Sequence, residues 1–224
     1  MGNNPSEFKG GRRPVEKVSW WDSLEFCNKL SEKYGLKPVY DLSRKEEGIL
    51  RIHQLNGKTE YPNVADFRKT EGFRLPTEVE WEWFARGGEI AMQDATFNYK
   101  YSGSDNLNEV AWYYDNSYKK THDVGTKKPN QLGLYDCSGN VYEWLYDTDC
   151  SGYISEKTPY IYDETQNSKR LKGGCWDTDD YEDNASISKR CSSRDNNTID
   201  SMCLPSTRYR TVQISCGFRI VRTI

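Results

Sequence analysis

The densest run of residues able to bind or react is Gly133-Leu134-Tyr135-Asp136-Cys137-Ser138-Gly139-Asn140-Val141-Tyr142-Glu143-Trp144. Ser138-Gly139-Asn140 punctuates a turn, with Gly139 supplying the positive φ that a side chain resists. Val141–Trp144 then alternates as a strand does. Asp136 before the turn and Glu143 after it can converge with the carbonyls of Gly139 and Val141, an oxygen set of the kind calcium takes. The same residues also suit a tight turn whose carboxylates bond backbone amides. Other chemistry has less material. With only His53 and His122, a histidine-rich metal site or a local catalytic triad has almost no material, and both histidines are read as ordinary surface or core. Seven cysteines are an odd count, so no complete disulfide framework closes within one chain, and reduced thiols are expected.

Elements on either side must hold that turn. Pro14-Val15-Glu16-Lys17-Val18 leads into Ser19, a good N-cap, with Asp22 in the first turn to complement the helix dipole. Trp20, Trp21, Leu24, Cys27 and Leu30 follow as a core-facing stripe, and Gly35 after Lys33-Tyr34 stops the helix. Val39-Tyr40-Asp41-Leu42 reads as a short strand, and Asn56-Gly57 as a hairpin turn between Ile52 and Tyr61. Thr77 and Glu80 form a capping box ahead of Trp81, Phe84 and Ala85; Gly87-Gly88 ends this second helix, and Glu78, Glu82 and Arg86 are read as its solvated face. Tyr101–Asn106 is a loop, followed by the short apolar run Val110–Tyr113. Asp147–Lys169, polar and without period, is read as an extended surface loop. Arg170–Trp176 is predicted as a strand entering the core, and Gly217–Arg222 as one strand closing the sheet.

Composition bounds the function classes. At 224 residues, 35% apolar, with a mean hydropathy of −0.92, the chain suits one soluble domain spanning residues 1–224 and lacks a membrane span. A formal charge of −3, from 31 basic and 34 acidic residues without a basic cluster, argues against nucleic-acid binding. Sixteen tyrosines and seven tryptophans suit either a turn-rich core or a recognition surface. Met1-Gly2-Asn3-Asn4-Pro5 has neither a basic n-region nor an apolar h-region, so no signal peptide is visible and the compartment is left open.

Four motifs carry a family resemblance. Gly133–Trp144, Gly72-Phe73-Arg74-Leu75-Pro76-Thr77-Glu78-Val79-Glu80-Trp81-Glu82, Arg170-Leu171-Lys172-Gly173-Gly174-Cys175-Trp176 and Cys216-Gly217-Phe218-Arg219-Ile220 together resemble the formylglycine-generating-enzyme (sulfatase-modifying factor) domain, in order and spacing, from Asn4-Pro5-Ser6 onward. The resemblance implies an α+β, C-type-lectin-like fold, with two helices around small antiparallel sheets and many loops. It also implies further strands and a short helix ahead of Asn4. Asp136, Gly139, Val141 and Glu143 match one structural calcium site of the family; a second such site would need Asn where Trp112 stands. No organic cofactor is implied.

In enzymes of this type two catalytic cysteines follow the Gly-Gly motif, at places held here by Thr178 and Asp183. Neither supplies the thiolate that copper chemistry needs. Cys175 stands where the family commonly has Ser, and Cys191, Cys203 and Cys216 do not restore the spacing. No reaction is therefore expected.

The scaffold motifs are also similar to the variable proteins of diversity-generating retroelements. These share the domain and diversify Asn codons toward Asn, Asp, Ser, Thr, Tyr, Cys, Arg and Ile. Asp177–Ser215 is dominated by those residues and bracketed by rigid strand signals, as a displayed loop on a fixed scaffold is. Glu182, Lys189, Met202 and Gln213 would be scaffold positions. Arg190 and Arg194 match a family pattern and are expected to bond loop carbonyls beneath the surface. Tyr offers large contact with few rotatable bonds, and Asp, Asn and Ser offer adaptable hydrogen bonds. The implied function is a non-catalytic display scaffold, with a variable segment at about 175–216. It would bind a protein or cell-surface ligand through Trp176, Asp177, Asp179, Tyr181, Asp183, Asn184, Asp195, Asn196, Arg208 and Tyr209, as a monomer, with a cell-surface location by analogy. The rival is a copper-dependent oxidase of the formylglycine-generating type, or a related non-haem enzyme, using another cysteine pair.

Overall fold

Both predicted helices start where their capping residues stand. Helix α1, Trp20–Lys33, is preceded by Ser19, whose side chain accepts the Asp22 N–H while the Asp22 carboxylate accepts the Ser19 N–H. It stops at Gly35, with φ +69°. Its buried stripe is Trp20, Leu24, Cys27 and, at the next turn, Ser31, whereas Leu30 is only half-buried. Ser31 is at home there because its hydroxyl donates to Cys27 O and accepts from Phe73 N–H. Helix α2, Glu78–Ala85, carries the Thr77–Glu80 capping box.

The structure is a computed structural model that describes residues 4–149, 160–178, 185–187 and 215–223, with the backbone alone of 191–194. Three small sheets organise these residues. Strands β1 (Tyr40–Asp41), β2 (Arg51–His53) and β3 (Thr59–Glu60) form an antiparallel meander whose β2–β3 turn is the expected Asn56-Gly57 hairpin. Strand β4, Phe73–Arg74, leads into α2; two short helices, α3 (Gly88–Gln93) and α4 (Leu107–Val110), follow it. Neither short helix was legible: Gly87-Gly88 ends α2 and at once starts α3, and α4 takes up the front of the apolar run at Val110.

The central sheet has the order β7-β6-β5-β8, built from β5 (Tyr142–Thr148), β6 (Ser168–Lys172), β7 (Cys191–Arg194) and β8 (Cys216–Phe218). Its β5–β6 and β6–β7 pairs are antiparallel; β5–β8 is parallel. The C-terminal motif is two strands rather than the single one expected. After β8 the chain leaves the sheet, and β9, Val221–Arg222, pairs with β4 instead. Arg219-Ile220 makes that crossing.

Strand β5 is buried along its whole length, so the expected inside–outside alternation is absent. Each face instead meets a different core. Tyr142, Trp144 and Tyr146 pack with Trp20, Leu24 and Leu171. Leu145, on the other face, packs with Trp81 and Ala85 of α2. Indole N–H groups stitch the layers: Trp20 Nε1 donates to Leu145 O at 2.8 Å and Trp144 Nε1 to Val18 O at 2.9 Å.

Two further expectations are corrected. Glu78 is 1% exposed rather than solvated. It pairs with Arg170 at 3.0 Å and Lys172 at 3.4 Å, both buried on β6. Lys172 also meets Glu82 at 2.5 Å and donates to Ile187 O. The start of the supposed surface loop is core: Asp147, fully buried, accepts the Glu78 and Ile161 N–H groups, and burial pushes its carboxyl up to about 7. Buried charges survive only as a paired set. Glu78→Ala should therefore leave Arg170 and Lys172 undercompensated and cost about 3–5 kcal/mol. Urea unfolding measures it; a loss under about 1 kcal/mol would place the pair effectively in solvent.

Candidate functional site

The turn at Ser138-Gly139-Asn140 forms as its residue types require. Gly139 has φ +77°, and a Cβ there would stand 2.4 Å from Trp112 O, so the position admits glycine alone. Gly139 N–H donates to Gly173 O at 2.7 Å, which joins the turn to the Gly-Gly motif after β6. Asn140 also adopts a left-handed backbone, φ +65°, and is fully buried.

Asn140 uses all its polar groups. Its N–H donates to Trp112 O and its carbonyl accepts the Trp176 N–H. Its Oδ1 accepts from His122 N–H at 3.0 Å, and Nδ2 donates to His122 O at 3.1 Å and Asp136 Oδ1 at 3.4 Å. His122 lies flat on Trp112, ring centroids 3.8 Å apart, and its Nε2 meets Ser117 O at 2.7 Å. The Ser117 hydroxyl donates to Trp176 O. One asparagine thus fixes the segment around Trp112–His122 against the turn after β6.

The two carboxylates of the expected cation set have different partners. Asp136, φ +57°, accepts the Gly125 N–H at 2.8 Å besides Asn140, and burial raises its carboxyl above the ordinary range. Glu143 is held by Arg219 and by Trp81 Nε1, which donates to Oε2 at 2.7 Å. Asp136, Val141, Glu143 and Arg219 line a groove of about 990 Å³ that runs past Val15, Phe26 and Phe218. Arg219 and Trp81 thus compete with any cation for the Glu143 oxygens.

Around the Gly-Gly motif the chemistry is that of a closed turn. Thr178, at a place of the expected catalytic thiol, is buried; its hydroxyl accepts the Cys175 N–H at 2.8 Å and contacts Tyr142 OH at 3.2 Å. Cys175 is buried too, and burial pushes its thiol up to about 11. Cys137 is pushed up to about 12 for the same reason. The four free cysteines among the described residues, Cys27, Cys137, Cys175 and Cys216, are all buried, and none is an exposed thiolate.

Of the expected ligand residues, Trp176 and Asp177 lie on this turn. Trp176 is only 4% exposed, packs edge-on against Phe8 at 5.5 Å, and its indole N–H meets no acceptor among the described residues. It is buried rather than displayed. Asp179, Tyr181, Asp183, Asn184, Asp195, Asn196, Arg208 and Tyr209 lie outside the described residues, as do Arg190 and the Arg194 side chain. Sequence reasoning missed Asn140, Ser117 and Arg219 as site residues. Only the S-G-N pattern pointed to the first, and the partners of the other two are remote in the chain.

This geometry defines an α+β, C-type-lectin-like fold of the formylglycine-generating type. The chain belongs to the FGE-sulfatase family: the model of the sulfatase-modifying factor enzyme 1-like domain matches residues 1–224. Among solved structures it is similar to Treponema denticola variable protein 1, with TM-score 0.71 and 33% identity over 98% of this chain and 77% of that one. It is 37% identical over 198 residues to chaperone protein LppX of Paenibacillus barcinonensis, which is 79% of this chain and 63% of that protein. To the formylglycine-generating enzyme of Mus musculus it is 30% identical over 148 residues, 58% of this chain and 36% of the enzyme. The chain thus spans less than two thirds of these curated relatives. No helix among the described residues is long and apolar enough to cross a membrane.

Gly139→Ala should cost more than an ordinary surface change, because the new Cβ meets backbone rather than a mobile side chain. Asn140→Ala removes the side-chain partners of the part-buried His122 N–H, His122 carbonyl and Asp136 Oδ1 and should cost about 1–3 kcal/mol. Both are read by urea unfolding. Near-neutral values would mean that the turn is not the joint described.

Proposed function

We propose that the chain is a non-catalytic display scaffold that binds a protein or cell-surface ligand through its C-terminal third, the segment from Asp177 to Tyr209. The observation that carries this reading is Thr178. Where the family resemblance calls for a reactive thiol there is a buried hydroxyl, bonded to the Cys175 N–H and shaping the turn. Its neighbour Cys175 is buried as an uncharged thiol. Copper-thiolate chemistry needs two accessible soft ligands close together, and this pair offers none.

The similarity to a variable protein supports display, and the name of the LppX relative supports a protein ligand. Under this reading Trp176 is a fixed floor tied to Asn140 and Ser117, and the residues beyond it carry contact. Tyrosine anchors with Asp and Asn neighbours give a rigid yet adaptable surface. The likeness to a formylglycine-generating enzyme supports the rival oxidase and makes it the reading to test against.

The test is oxidation of a cysteine-containing sulfatase peptide by the purified, copper-treated chain, followed by mass spectrometry. The scaffold reading expects unchanged peptide; conversion to formylglycine would overturn it. Alanine at Tyr181 or Tyr209 should also leave thermal stability within about 1 °C, since contact residues of a display surface do not hold the fold. A loss comparable to that of Asn140→Ala would make these residues core.

A further inference from the structure

Glu143 is the carboxylate on which a hard-cation site at this turn would depend, and both of its oxygens are taken. Oε1 accepts from Arg219 Nε at 3.2 Å and from its terminal amino group at 2.7 Å. Oε2 accepts from Trp81 Nε1 at 2.7 Å and from Arg219 Nε at 3.1 Å. The Arg219 Nε–H is shared between the two oxygens, so three donors, two on Arg219 and one on Trp81, hold the carboxylate. Calcium takes about six to eight oxygen ligands, so an ion at this turn competes with Arg219 for the Glu143 oxygens.

The guanidinium is placed to do the ion's mechanical work. The terminal amino group that meets Glu143 also donates to Tyr135 O at 2.9 Å, one residue before Asp136. Arg219 therefore ties the arm entering the turn to the strand leaving it. The pair is largely out of water, the Glu143 side chain 6% and the Arg219 side chain 24% exposed, so salt screens it weakly. A planar fork with fixed donors suits this role better than a point charge.

We propose that Arg219 is the built-in cation of this turn: its guanidinium crosslinks Tyr135 and Glu143 in place of a divalent ion, and the Gly133–Trp144 segment keeps its shape without calcium. The assignment stands apart from ligand binding, since a display scaffold and an enzyme would both need this turn.

Thermal unfolding of the purified chain in EGTA and in millimolar calcium tests it. The two midpoints should agree within about 1 °C, whereas a structural ion well above its Kd would raise the midpoint by several degrees. Arg219→Gln leaves Glu143 buried beside Asp136 without its counter-charge. That variant should melt lower in EGTA and recover by several degrees in calcium, and adding Glu143→Gln should abolish the recovery. A calcium-dependent rise in the unaltered chain overturns the assignment, as does an Arg219→Gln chain indifferent to calcium. If Arg219→Gln does not fold in EGTA, refolding yield with and without calcium gives the same reading, and the unaltered chain is decisive by itself.

Discussion

Asn140 holds two parts of the molecule in one geometry, and little near the site would keep its place without it. In a left-handed backbone it exposes its N–H and carbonyl in directions that neighbours in a regular strand could not use, and its side-chain amide meets the backbone of His122. A buried asparagine is tolerable only when its groups are satisfied. Here that satisfaction fixes Trp112 and His122 on one side and Trp176 on the other. Gly139 makes it possible, because a Cβ at that position would stand 2.4 Å from Trp112 O.

Around this joint the described residues form a tightly tied frame. Strand β5 is clamped between two cores, α2 is anchored to β6 by buried ion pairs, and Arg219 closes the arm of the turn. Beyond this frame in sequence lies the segment after Trp176, rich in Asp, Asn, Ser and Thr. A scaffold that meets its hydrogen-bonding needs internally can accept many different surfaces. The buried, uncharged state of Cys175 and the structural use of Thr178 fit such a frame better than a reactive centre. Family membership alone does not choose between the two, since one fold serves many functions.

Local features were legible in the sequence because their causes are local. Ser19 with Asp22 and Thr77 with Glu80 are reciprocal caps within one turn, and Asn56-Gly57 is a turn by its own chemistry. The features that escaped depend on partners far along the chain. Glu78 looks like a surface residue until Arg170 and Lys172 arrive on β6. The alternation expected of β5 vanishes because both faces are covered, one by the α1 core and one by α2. The C-terminal strand divides because Phe73–Arg74 competes with β5 for it, which no periodicity records. At the site, the S-G-N turn was readable as a turn, whereas the use of Glu143 was not: a carboxylate free to bind a cation and one facing Arg219 look the same in sequence.

The central claim is that a fixed frame presents a changeable surface, and sequencing this locus in many sibling isolates tests it most directly. The account predicts substitutions concentrated between Asp177 and Tyr209, drawn from the Asn-codon set, with Gly139, Asn140, Gly173, Gly217 and Arg219 unchanged. Substitutions spread evenly, or a segment invariant across isolates, would contradict it.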